Sequence, residues 1–276
     1  MTDTSRTETF SGVSSLALEN ELGNVRIISS TTDGTARVTL HARGDVDLEP
    51  VALRVDGDTL VVDVPPLLDK DSSGGTRFAI KIGPISFSTQ STRVDVEVEL
   101  PHGAGIKAKT KSGDITVTGE AGDVTARTGS GDVSLEHAQQ VHIATGSGNV
   151  DVRSCRSGNV TTGSGDISIR EATGEELNCR AGSGDITVRH TSSKRTSAAT
   201  GSGDISFQLS EGTFEAKSGT GDIDLTVPRG LPVWLDLVSG TGQVVKDIES
   251  VGAPQEDQPF LSVKAKSGVG SIRLHH

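Results

Sequence analysis

Apolar residues alternate with polar ones in short runs, and the runs recur at a fixed distance along most of the chain. Ile115/Val117, Val133/Leu135, Val150/Val152, Ile167/Ile169, Ile186/Val188, Ile205/Phe207 and Ile223/Leu225 are seven such pairs. A period of two predicts strands with one buried face. Each pair follows a Ser/Thr-Gly-Asp/Asn turn, whose glycines are Gly113, Gly131, Gly148, Gly165, Gly184, Gly203 and Gly221, with Gly242 as an eighth anchor. The intervals between anchors are 18, 17, 17, 19, 19, 18 and 21 residues. A second alternating run precedes the anchors, seen in Ile106/Ala108, Val124/Ala126, Val141/Ile143, Leu177/Cys179, Phe214/Ala216 and Leu235/Leu237.

A repeat of strand, turn, strand and Gly-x-Gly turn buries little by itself and must stack on its neighbours. The fold class expected is all-β, a single-stranded β-solenoid with coils of about 18 residues. Strands then pair between coils at ~4.8 Å, so seven intervals span roughly 35 Å. Residues 106–276 are read as the solenoid with its C-terminal cap, and residues 1–105 as an irregular β cap continuous with it. Within that cap the sequence predicts two hairpins, Val51–Val55 with Leu60–Val64 and Phe78–Ile82 with Ile85–Ser88. The same register reappears at Leu16, Leu18, Gly23, Asn24, Val25 and Ile27, and at Val263, Ala265, Gly268, Gly270, Ile272 and Leu274. The acidic stretch Ala253–Pro259 interrupts the last coil.

Composition sharpens this picture. Of 276 residues 34 are Gly, while Phe numbers six, Trp one and Tyr none, so the core is assembled from small and β-branched side chains. A formal charge of −11 disfavours nucleic acid and anionic membrane as partners. No basic segment leading into an apolar one opens the sequence, and no run of 18 apolar residues occurs, so neither a secretion signal nor a membrane span is read and a cytoplasmic location is expected. Cys155 and Cys179 are too few for a disulfide framework and are expected as reduced thiols.

The segments Leu22-Gly-Asn-Val-Arg-Ile27 and Val98-Glu-Leu-Pro-His-Gly103, with the series of Ser-Gly-Asp-Ile and Gly-Ser-Gly-Asn-Val coils, resemble the bacterial β-strand-repeat proteins of unknown function labelled putative adhesins. The resemblance covers most of the chain. It implies a β-solenoid, often an envelope or surface setting, and no established catalytic residues.

The candidate chemistry lies in columns. Asp114, Asp132, Asp166, Asp185, Asp204 and Asp222, with Asn149 and Gln243, recur once per coil. Carboxylates ~4.8 Å apart repel and need an offset. Calcium is one, as in β-rolls; hydrogen bonds from nearby turn amides are the plainer one. The Gly-x-Gly turns lead into strands and lack a Gly-Lys-Ser/Thr, so a phosphate loop is excluded. Thr110, Thr128, Thr145, Thr162 and Thr200, continued by Ser218 and Ser239, form a hydroxyl column expected to bond along the stack. Arg153, Arg170 and Arg189 form an outward stripe able to dock an anionic ligand or to pair with Glu136 and Glu171, and Trp234 is a candidate ligand contact. The seven histidines show no metal-binding spacing, and no nucleophile motif is present. No catalytic residue, metal or cofactor is therefore expected. The sequence favours a non-enzymatic scaffold or adhesin-like interaction module for a protein or glycan partner, monomeric or weakly oligomeric. A calcium-binding β-roll is the alternative and a polysaccharide-active β-helix enzyme the third reading.

Overall fold

The computed structural model describes residues 3–67, 92–249 and 259–276. The expected hairpin at Phe78–Ser88 and nearly all of the Ala253–Pro259 stretch lie outside them. The described residues are all-β: β1 (Thr4–Ser11), β2 (Ser15–Leu22), β3 (Val25–Thr31), β4 (Thr35–Ala42), β5 (Ala52–Asp56), β6 (Thr59–Val64), β7 (Val94–Pro101), β8 (Gly105–Ser112), β9 (Ile115–Ser130), β10 (Val133–Ser147), β11 (Val150–Ser164), β12 (Ile167–Ala172), β13 (Glu176–Ser183), β14 (Ile186–Thr191), β15 (Arg195–Ser202), β16 (Ile205–Leu209), β17 (Gly212–Thr220), β18 (Ile223–Thr226), β19 (Val233–Thr241), β20 (Val244–Asp247), β21 (Leu261–Val269) and β22 (Ile272–His275).

Parallel pairing between coils builds two faces. The first runs β6, β2, β8, the second halves of β9, β10 and β11, then β13, β15, β17, β21 and β19. The other runs β7, β3, the first halves of β9, β10 and β11, then β12, β14, β16, β18, β22 and β20. In β9 to β11 one strand bends around the corner and joins both faces. The 19-residue coils open that corner into loops at 173–175 and 192–194, so their strands are separate.

The alternating residues point inward as expected. All seven pairs that follow the anchors are buried, as are those from Ile106/Ala108 to Phe214/Ala216. Leu235 and Leu237 differ, being only partly buried, because their coil is covered on one side. The thin core still admits Phe207 of β16 and Phe214 of β17, with ring centroids 4.8 Å apart, where Ala216 of β17 and its cross-strand partners Ala198 and Ala265 are small.

Both ends depart from serial order. At the start, the coil β2–β3 is laid down first, yet it lies inside the coil formed by β6 and β7. At the other end, β21–β22 is inserted between β17–β18 and β19–β20, so Gly270 and not Gly242 stacks on Gly221. The N-terminal end is closed by antiparallel strands, β5 on β6 and β1 on β4 on β7. The C-terminal end ends on β19 and β20 without such a closure among the described residues.

Candidate functional site

The Gly-Asp corner is set by backbone geometry. At Gly165 φ is +145°, a conformation that L side chains rarely adopt, and a Cβ there would lie 2.1 Å from the Gly148 carbonyl oxygen. Glycine two residues earlier has a different cause: at Gly163 a Cβ would meet the Gly146 carbonyl oxygen at 2.5 Å, because successive coils approach closely. Small residues at both positions hold the turns in contact from coil to coil.

That contact engages the Asp column. The Asp132 amide donates to Asp114 Oδ1 at 2.9 Å, Asn149 to Asp132 at 2.7 Å, Asp166 to Asn149 at 2.9 Å, and Asp185 to Asp166 at 2.8 Å. Asp204 then donates to Asp185, Asp222 to Asp204 and Ser271 to Asp222, each at 2.7 Å. The ladder extends back through the Asp114 amide to Asn24 Oδ1 and the Asn24 amide to Asp95 Oδ1. Turn amides are thus the donors that the sequence leads one to expect, but each comes from the next coil and not from the same turn. Asn24 and Asn149 serve as well as aspartate, so the ladder needs an oxygen and not a charge.

The hydroxyl column lies one step inside. Thr128 Oγ1 donates to the Gly113 carbonyl at 3.1 Å, Thr145 to Gly131 at 3.1 Å, Thr162 to Gly148 at 3.0 Å and Thr200 to Gly184 at 3.0 Å. Ser218, Ser267 and Ser239 do the same to Gly203, Gly221 and Gly270. Ala181 leaves a gap in the column, and the buried Thr110 Oγ1 has no partner. These side chains satisfy carbonyls that would otherwise be stranded at a dry corner.

The thiols are similarly enclosed. Cys155 and Cys179 are free and buried; burial pushes the Cys155 thiol up to about 12, and burial, with Cys155 nearby, raises that of Cys179 further. Neither is a thiolate near neutral pH. No group of three His, Cys, Asp or Glu able to hold a metal ion occurs among the described residues.

Other side chains face outward. Arg153 donates to Glu136 Oε1 at 2.8 Å, while Glu136 Oε2 accepts the Gly119 amide at 2.9 Å. That amide, and then Arg153, hold the Glu136 carboxyl below its ordinary value. Arg153 is thereby tied into the stack, whereas Arg170 and Arg189 project from the same face with no ion pair among the described residues. Trp234 lies on the opposite face, 74% exposed at the end of the stack, so the structure does not join it to the arginine stripe. Sequence reasoning did not find two further features. One is a polar groove of about 430 Å³ at the second corner, lined by Gln139, Gln140, Arg156, Ser157, Lys194 and Glu211 among others, where 17-residue coils meet 19-residue ones. The anchor spacings were its signal. The other is His275, whose Nε2 lies 2.8 Å from Asp224 Oδ1.

Ladders of amides, hydroxyls and glycine corners repeated once per coil define a parallel β-solenoid whose repeated chemistry holds the stack together. The chain belongs to the Toastrack DUF4097 family, whose model matches residues 13–273. Among solved structures it is similar to a putative adhesin from Parabacteroides distasonis ATCC 8503, at 12% identity and a TM-score of 0.58 over 99% of this chain and 97% of that one. A putative adhesin from Bacteroides fragilis NCTC 9343 is 18% identical with a TM-score of 0.50, over 99% and 97% of the two chains. A putative lipid binding protein from Parabacteroides distasonis ATCC 8503 is 14% identical with a TM-score of 0.55, over 98% and 96%. At these identities the likeness is one of fold. No curated protein matches the chain. No helix among the described residues is long and apolar enough to cross a membrane.

Proposed function

We propose that this protein is a non-enzymatic β-solenoid scaffold, an adhesin-like module that presents its outward faces to a protein or glycan partner. One observation carries the reading: the chemistry that the repeats reiterate is used between coils. The Asp oxygens accept amides, and the Thr and Ser hydroxyls donate to glycine carbonyls. What varies from coil to coil faces solvent, and there a partner would be recognised. Arg170 and Arg189 are the contacts favoured on one face, with Arg153 serving the stack through Glu136. The adhesin names of two structural relatives agree with such a role.

The test is site-specific photo-crosslinking in the source cell, with the crosslinker placed at Arg170 and, for contrast, at Asn178 on the other face. A single partner captured from Arg170, and captured at least tenfold less when Arg189 is also Ala, is the expected outcome. Equal capture from both faces, unaffected by Arg189→Ala, would reject the stripe as the binding surface.

A further inference from the structure

Seven large apolar side chains are exposed among the described residues. Six of them, Trp234, Val238, Val244, Val245, Phe260 and Val269, belong to the coils β19–β20 and β21–β22 at one end of the stack. There β19 pairs with β21 and β20 with β22, and the opposite edge of each strand is open among the described residues. The inward residues Val233, Leu235 and Leu237 remain partly buried where the next coil would seal them. Open edges of this kind invite pairing with another chain. The other end of the molecule is covered by the edge strands β1 and β5, and among the described residues Val55 is its one exposed large apolar side chain.

We propose that this end is the interface of a head-to-head homodimer, with β19 and β20 of two copies meeting across a two-fold axis perpendicular to the stack. Such an axis reverses strand direction, so both edges pair antiparallel and the two sheets continue from one copy into the other. Charge selects this arrangement over head-to-tail stacking. The described residues of 3–105 carry six basic side chains against fourteen acidic ones, and those of 212–276 six against six. Joining the near-neutral ends keeps the acidic ends far apart. The contact is closed, so it stops at two copies. Lys246, which the register with Leu274 places at an inward position, and Asp247 leave charges at the rim and keep the contact modest. An end face of about 30 Å by 10 Å falls below a standard interface, and a dissociation constant of order 10–100 µM is expected.

Trp234 is the protein's one tryptophan and reports directly on this end. Sedimentation velocity of the full chain from roughly 1 to 200 µM should pass from monomer to dimer, with a blue shift of tryptophan emission over the same range. Val238→Lys and Val245→Lys replace exposed side chains, so their melting at low concentration should match the parent while the dissociation constant rises at least tenfold. Val55→Lys, at the opposite end, should leave it unchanged. A monomer with constant emission throughout, an open-ended polymer, or a dimer that Val55→Lys abolishes and the other two spare would each overturn the proposal.

Discussion

At the scale of single residues, a side-chain oxygen placed opposite the next coil's amide decides what an aspartate is for. Asp166 accepts from the Asp185 amide, while its own amide donates to the neutral Asn149. Asp166→Asn keeps that acceptor and removes one charge from the column, so its unfolding free energy should equal or exceed the parent's. Asp166→Ala strands the Asp185 amide and should cost roughly 1 kcal/mol, one net hydrogen bond. Denaturant titration of the pair checks both, and melting in EDTA and in calcium should give one midpoint, since the offset to carboxylate repulsion comes from amides. An Asn variant as damaging as the Ala one would show that the charge itself matters.

Among elements, β22 is held by more than its ladder. His275 faces Asp224 and Thr226 of β18, with Asp247 of β20 on the other side. The Asp224 hydrogen bond raises the His275 pKa above its ordinary 6.5, followed by the His276 carbonyl and the charge of Asp224 and Asp247. A raised folded-state value means that the bonus is full below about 6.5 and is lost as pH climbs through the folded pKa. The melting midpoint of the parent should therefore fall over that interval relative to His275→Gln, and a parallel pH profile in both would refute the assignment. Strand identities were legible in the sequence because burial alternates with period two, and Ile115/Val117 through Ile223/Leu225 could be placed without coordinates. The interlocked corners were half legible: the columns were visible, but whether Asp166 bonds its own turn or the next coil depends on stacking contacts that no local pattern encodes. The surface was least legible, since Arg153 and Arg170 look alike in sequence and differ in that Glu136 lies one coil before Arg153 and Arg153 itself lies one coil before Arg170.

For the whole molecule, translational similarity among coils hides the spatial order. Any coil offers its neighbour much the same inward pairs, so the sequence alone does not reveal that β21–β22 slides beneath β19–β20. Its traces are indirect: a 21-residue interval before Gly242, and Gln243 standing where other coils carry Asp or Asn. Deleting residues 259–276 should lower the melting midpoint far more than deleting residues 1–11, because the first removes a coil with neighbours on both sides and the second an edge strand. Thermal melts followed by circular dichroism compare the two truncations, and equal losses would contradict the inserted arrangement.

The inserted coil also sets the timing of assembly. A chain leaving the ribosome can stack coils one on another as far as β18, but β19 and β20 then emerge before the strands that will separate them from the stack. They must either wait without a neighbour or dock on β17 and β18 and later give way to β21 and β22. Completion of this stack therefore waits for β21 and β22, which follow β19 and β20 in the chain but precede them in space, so refolding should show a late phase that deletion of residues 259–276 removes.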